Sequence, residues 1–188
     1  KFGDYHGVFY GDRKAATDQQ NQGTAGIGLG ILSNFNASVP LMTAAESYFL
    51  QSEAALRGWT SGDDLALLKS GVRASFNYLY SRGDKADGEA AADVYISMHV
   101  TDVSLKAIIL QKWVALNGNN MFEAWTEYRR TGIPGLDVLP LSKFAGLARH
   151  IPTKLMYPTS EQTTNQENYK AAIATGNDPQ SSKVFWMK

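Results

Sequence analysis

The stretch Leu105–Leu136, LKAIILQKWVALNGNNMFEAWTEYRRTGIPGL, limits what this chain can fold into more than any other. Leu105, Ile108, Ile109, Lys112, Trp113 and Leu116 fall near i, i+3, i+4, i+7 spacing, so one side of a helix is apolar. Gly118 stops that helix, with Asn117, Asn119 and Asn120 supplying turn chemistry. A second helix follows at once. Phe122, Trp125 and Tyr128 stand three residues apart as an aromatic stripe, and Glu123 and Glu127 share another face. Glu127 lies within reach of Arg129 or Arg130, and Gly132 and Pro134 end the helix. Large aromatics stabilise a fold only when something covers them. The rest of the chain must therefore pack against this pair.

A matching pair precedes it. Pro40 suits the first turn of a helix over 40–58, after Ser38 or Val39. Leu41, Ala45, Tyr48, Phe49, Ser52, Ala55 and Leu56 form its wide apolar face. Gly58, Trp59 and Thr60 make a short connection, and Ser61 with Asp64 gives a start like a capping box. Leu65, Leu68, Val72, Phe76 and Leu79 carry a helix to about Arg82, where Gly83 stops it. Helix pairs over 40–82 and 102–132 predict a mainly α fold with tetratricopeptide-like packing, although the strict repeat signature is absent.

The remaining segments are irregular. Residues 1–39 are rich in Gly, Asn, Gln and Asp. Between the pairs, Val94–Val100 (VYISMHV) is predicted to be a short strand or extended cover. Over 133–188, Pro134, Pro140, Pro152 and Pro158 forbid long helices. A short helix capped by Ser160 or by Thr164 and Asn165 is expected there. The apolar tail Lys183–Trp186 should pack as a strand or anchor.

Several function classes are disfavoured. Eighteen basic residues balance eighteen acidic ones, so the basic excess that nucleic acid or an anionic membrane surface requires is missing. The sequence holds no run of about 18 apolar residues, the length a helix needs to span a bilayer. Without cysteine there is no disulfide, thiolate metal site or cysteine nucleophile. His6, His99 and His150 lie far apart with no zinc-binding spacing, and no cofactor is expected. The Gly26–Gly30 run GIGLG lacks the G-x-G-x-x-G spacing of a dinucleotide loop. No G-x-S-x-G elbow is present. Glu46 and Glu53 read either as a solvated edge or as ion-pair partners of Arg73 or Arg129. A hydrolase would have to use Glu46 with Glu53, or Glu123 with Glu127. Acids on one helix do not face each other across a cleft as a glycosidase needs.

Five segments then carry a resemblance. LMTAAESYFLQSEAALRGW, ALLKSGVRASFNYL, ILQKWVALNGNNMFEAWTEYRRTGIPGL, IPTKLMYPTSEQTTNQENYKAAI and VFW follow in order from about Pro40 to Trp186. The chain resembles the C-terminal part of the SusD/RagB family, with Lys154 where that family commonly has arginine. The resemblance implies a partial domain of a SusD-like α-helical fold. It implies a surface-exposed outer-membrane lipoprotein of Bacteroidetes, lipid-anchored through an N-terminal segment outside this chain. Such a protein captures an oligosaccharide, or a peptide in RagB-like cases, and sits as a lid on a SusC-type TonB-dependent transporter. It is not an enzyme. A helical-repeat protein-interaction module is the alternative. Glu123, Trp125, Tyr128, Arg129 and Arg130 are expected to hold the scaffold together. Family ligand contacts tend to come from irregular segments, which makes Tyr5, His6, Phe9 and Tyr10 the ligand-binding candidates.

Overall fold

A computed structural model describes residues 27–83, 87–135, 151–174 and 182–187. It divides the chain into two compact units, one of residues 26–134 and one of residues 1–25 with 135–188. Among the described residues, the larger unit holds five helices: α1 (Ala44–Leu56), α2 (Asp64–Arg82), α3 (Gly88–His99), α4 (Leu105–Leu116) and α5 (Met121–Thr131). In the other unit, α6 (Thr159–Thr164) packs on α7 (Gln166–Ile173). No strand occurs among the described residues.

Each long helix begins where a short polar side chain can satisfy an orphan N–H. Thr43, Asp63, Asp87, Ser104 and Asn120 accept from the backbone of Glu46, Ala66, Ala90, Ala107 and Glu123 respectively. The first helix therefore starts later than its sequence indicates. Pro40 lies outside it, and Leu41 is 94% exposed rather than part of the buried face. Gly58, with φ +71°, turns the chain between α1 and α2 in a conformation that L side chains rarely adopt. Asp63, not Ser61, caps α2.

The segment 94–100 is not a strand. Residues 94–99 lie in α3 and Val100 caps its C-terminus; Ala92, Ile96 and Val100 recur every four residues and enter the core. In a strand Val94 and Met98 would share the face of Ala92, Ile96 and Val100, yet they are 51% and 53% exposed, so tertiary cover selects a helical period over the β-branched composition. Ala45 and Phe49 of α1 and Leu68 and Val72 of α2 complete this core with Ile108 of α4. Helix α2 packs on both α1 and α3, and α4 packs on α1, α2 and α5.

Residues 27–39 form turns lying over the C-terminal end of α2. A Cβ on Gly30 would sit 2.6 Å from the Leu79 carbonyl oxygen, so the glycine permits a close backbone crossing. That crossing accounts for a glycine of the GIGLG run without any phosphate.

In the smaller unit the short-helix caps differ from expectation. Helix α6 starts after Pro158 and α7 after Asn165, and neither start has a side-chain cap bond. Tyr157 meets Tyr169 edge-on at 5.7 Å between ring centres. The tail forms a turn at Phe185 and Trp186 rather than a strand, and Phe185 is fully exposed.

Candidate functional site

Two features of the larger unit bring chemically active side chains together: a buried ion network and an open cleft at the α1–α2 turn.

The network starts from Lys112. It follows Ile108 by one helical turn, so α4 delivers it to the same buried face, where its side chain is 1% exposed. Its ammonium donates to Glu127 Oε1 at 2.9 Å and to Glu123 Oε1 at 3.1 Å, both on α5. Glu46 Oε1 on α1 lies 3.6 Å away. Arg130 of α5 grips Glu53 of α1 with two bonds, 2.7 and 2.6 Å, and also donates to Glu127 Oε2. Arg57 completes the set, with Nε 2.8 Å from Glu53 Oε1. Four carboxylates thus share three cations across α1, α4 and α5. Parallel two-point Arg–carboxylate contacts fix orientation as well as charge, and Arg130 with Glu53 makes such a contact.

The charge states follow from this arrangement. Burial works against the Lys112 ammonium, but Glu127 and Glu123 outweigh it and raise its pKa. Burial also pushes at Glu53, yet hydrogen bonds from Arg130 and Arg57 hold it below the usual carboxylate value. Those same bonds to Glu53 raise Arg130. Glu46 goes the other way. Its burial, with Glu123 and Glu127 nearby, outweighs Lys112 and lifts it above 4.5.

The raised pKa means that folded Glu46 holds its proton more tightly than the unfolded chain does. Ionised Glu46 therefore costs stability above its folded pKa, and that cost fades as pH falls toward 4.5. Glu46→Gln should be at least as stable as the parent near neutrality, with any advantage shrinking to nothing as pH falls toward 4.5. Glu53→Gln should do the reverse. Glu53 contributes stability above 4.5 that disappears as pH drops through its lowered folded value. Urea midpoints measured across this pH range check both signs.

The expected arginine partners were different. Arg73 pairs on the surface with Asp93 of α3, not with Glu46 or Glu53. Arg129 stacks over the Trp125 ring at 3.6 Å. Glu127 does meet Arg130, and Glu123 and Arg130 hold helices together as scaffold residues. The buried side of α5 is Ala124 and Glu127, while Phe122 is largely exposed and meets Trp125 edge-on. Because Glu46, Glu53 and Glu127 are buried counter-ions, neither acid pair is left facing a substrate cleft.

The second feature lies at the α1–α2 turn. A cleft of about 430 Å³ opens there, with Gln51, Thr60, Ser61, Asp63 and Ser70 among its walls. Trp59 precedes Thr60 and is 71% exposed. The Arg57 guanidinium, held by buried Glu53, lies 5.2 Å from the Trp59 ring centre. The sequence signal for this arrangement was a tryptophan in a three-residue turn, flanked by arginine and hydroxyl residues. Tyr5, His6, Phe9 and Tyr10 lie outside the described residues.

Among the described residues, no cluster of His, Asp and Glu could hold a metal ion. No described helix is long and apolar enough to cross a membrane.

Comparison with known proteins places this geometry in context. A family model described as "SusD-like: Susd and RagB outer membrane lipoprotein" matches residues 1–187. A SusD homolog from Bacteroides fragilis superposes with TM-score 0.63 at 27% identity, covering 79% of this chain and 35% of that one. A structure named chitin-binding protein gives 0.61 at 31% identity, covering 77% and 32%. One described as Bacteroidetes AC2a SusD-like gives 0.62 at 30%, covering 78% and 30%. The chain spans about a third of the length of these structures. No curated protein matches it.

Proposed function

We propose, from the premise that this chain belongs to the SusD-like family of outer membrane lipoproteins, that it is the C-terminal portion of a cell-surface nutrient-capture protein. The family match across residues 1–187 carries this reading. The complete protein is anchored by lipid at the outer membrane. It binds an oligosaccharide and passes it to a SusC-type TonB-dependent transporter, without cleaving it. A similar structure that is named for chitin binding supports a glycan as the ligand class.

The physics of such capture is simple. Aromatic faces stack on the apolar C–H faces of sugar rings, and amides, hydroxyls and carboxylates hydrogen-bond the sugar hydroxyls. Each hydroxyl must first give up water, so affinity per site is modest. Delivery into a transporter then makes weak capture directional. Tyr5, His6, Phe9 and Tyr10 are proposed to contribute contacts from the irregular N-terminal segment. The four-carboxylate, three-cation core keeps α1, α4 and α5 in fixed register while ligands come and go.

The test uses the longer parent protein on an array of neutral glycans, acidic glycans and peptides, followed by co-purification with a SusC-type transporter. We expect saturable binding of an oligosaccharide that is recovered intact, and co-purification with the transporter. Recovery of shortened sugars would sink the non-catalytic reading. Binding to peptides alone would replace the glycan with a peptide ligand.

A further inference from the structure

We propose that the outer face of α1, with the cleft beside it, is the seat of a further helix from the part of the parent protein that lies outside this chain. The proposal rests on the reading of this chain as the C-terminal portion of a longer protein, and it needs nothing from the ligand.

The first ground is the charge pattern of α1. Its only charged residues are Glu46 and Glu53, and both are buried. Lys112 of α4 and Arg130 of α5 hold them on the inner side. On the other side, Ala44, Ser47, Tyr48, Gln51 and Ala54 recur at i, i+3, i+4, i+7 and i+10 and form a stripe without one charge. Ala44, Tyr48 and Gln51 of this stripe are exposed. A surface helix normally carries its charged residues on the side that meets water, and α1 does the reverse. The chain entering the helix continues the pattern, with Val39 81% and Leu41 94% exposed. Isolated exposed apolar residues are ordinary, but a run of them leading into an uncharged helix face marks an interaction surface.

The second ground is the cleft. Gln51 and Ala54 of the stripe line it from α1, and Ala66, Leu67 and Ser70, again at helical spacing, line it from α2. Alanine and serine walls let an incoming helix approach closely, toward the short end of the usual axis separations of about 8–10 Å. Among the described residues of the wall, Asp63 alone is charged, and its carboxylate already caps α2 by accepting from the Ala66 N–H at 2.9 Å. The groove therefore fits the uncharged, apolar ridge of a helix.

The occupant follows from length. The SusD homolog superposes over 79% of this chain but only 35% of its own length. A parent of that size holds most of its residues outside this chain, and elements of one domain bury their apolar faces against each other. Helix α4 already packs on α1 within the larger unit. The outer stripe offers α1 a second helix on its opposite side. With that helix in place the cleft is interior, and ligand contacts come from elsewhere in the parent.

The test exploits the absence of cysteine from this chain. Gln51→Cys and Ala66→Cys are made singly in this chain and in the longer parent, with Lys106→Cys as an exposed reference. Thiol labelling is read by mass spectrometry of the peptide that holds each cysteine, against its rate in denaturing urea. In dilute samples of this chain, Gln51→Cys and Ala66→Cys should label as fast as Lys106→Cys, because all three positions are exposed. In the parent they should label at least about tenfold more slowly, since a covered thiol reacts only when the fold opens locally. Gln51→Arg and Ala66→Arg give a second arm. Each should lower the melting temperature of the parent and leave that of this chain unchanged. Equal labelling of chain and parent overturns the seat. So does slow labelling already in the dilute chain, which would mean that its own residues cover the face. Protection that grows with the concentration of this chain and is missing from the parent would assign the face to a second copy instead. None of these readouts involves a sugar. Failed glycan binding by the parent would therefore remove the capture reading alone, and equal labelling would remove the seat alone.

Discussion

Replacing Lys112 with methionine should lower folding stability by about 3–5 kcal/mol, the usual cost of removing one partner from a buried ion pair. The methionine fills much the same space, so the loss is electrostatic rather than steric. In the parent, one ammonium serves Glu127 at 2.9 Å, Glu123 at 3.1 Å and Glu46 at 3.6 Å. Without it, Glu46 has no cation within salt-bridge distance, and Glu127 keeps only Arg130. Lys106 on the same helix is exposed and serves as the control, since Lys106→Met should shift stability by no more than about 0.5 kcal/mol. Urea denaturation of both variants at neutral pH reads the contrast. Equal, small effects would mean that water solvates the network and that Lys112 is not the tie among three helices. Adding Glu46→Gln to Lys112→Met should recover part of the loss, because one stranded carboxylate is then neutral.

The position of Lys112 was legible in the sequence, but its meaning was not. Its spacing from Ile108, Ile109 and Leu116 puts it on the buried side of α4. A lone lysine on an apolar face does not reveal its counter-ions. Glu46 lies 66 positions upstream, on a helix whose acids look like a solvated edge until α4 packs against it. The helices α1, α2, α4 and α5 were legible because apolar positions recur with the helical period, whereas the caps of α1 and α2, Thr43 and Asp63, were not. Helix α3 was obscured by Val94, Tyr95 and Ile96, whose local preference is for strands. The residues that decide it, Ala92, Ile96 and Val100, are visible only as a stripe that needs a covering partner. Among the proposed ligand contacts, the N-terminal aromatics drew attention as a cluster. Outside them, Trp59 passed as part of a short connection. Its exposure and the arginine held beside it depend on the α1–α2 turn and buried Glu53, and neither property is a local feature of the chain.

The second large effect tests the packing that places those helices. Phe49→Ala should cost about 3–5 kcal/mol, the range for deleting a buried aromatic ring. Phe49 is 1% exposed and lies against Gly71 of α2, where a built Cβ would meet its ring carbons at 2.6, 2.8 and 3.0 Å. Glycine inside a helix normally costs about 1 kcal/mol relative to alanine. Here that penalty secures close approach of α1 and α2, so Gly71→Ala should not recover it. The added methyl pushes on a ring enclosed by the core and should destabilise by about 1–3 kcal/mol before the propensity gain is subtracted. The double variant is the decisive one. With the ring gone, the methyl introduced by Gly71→Ala projects into the space it vacated and regains contact. The double loss should therefore be smaller than the sum of the single losses, with a coupling of about 0.5–3 kcal/mol. Strict additivity in a urea-denaturation cycle would show that α1 and α2 do not meet at Phe49 and Gly71. Favourable coupling would tie the contact of Phe49 with α2 to the one position in the two helices that dispenses with a side chain.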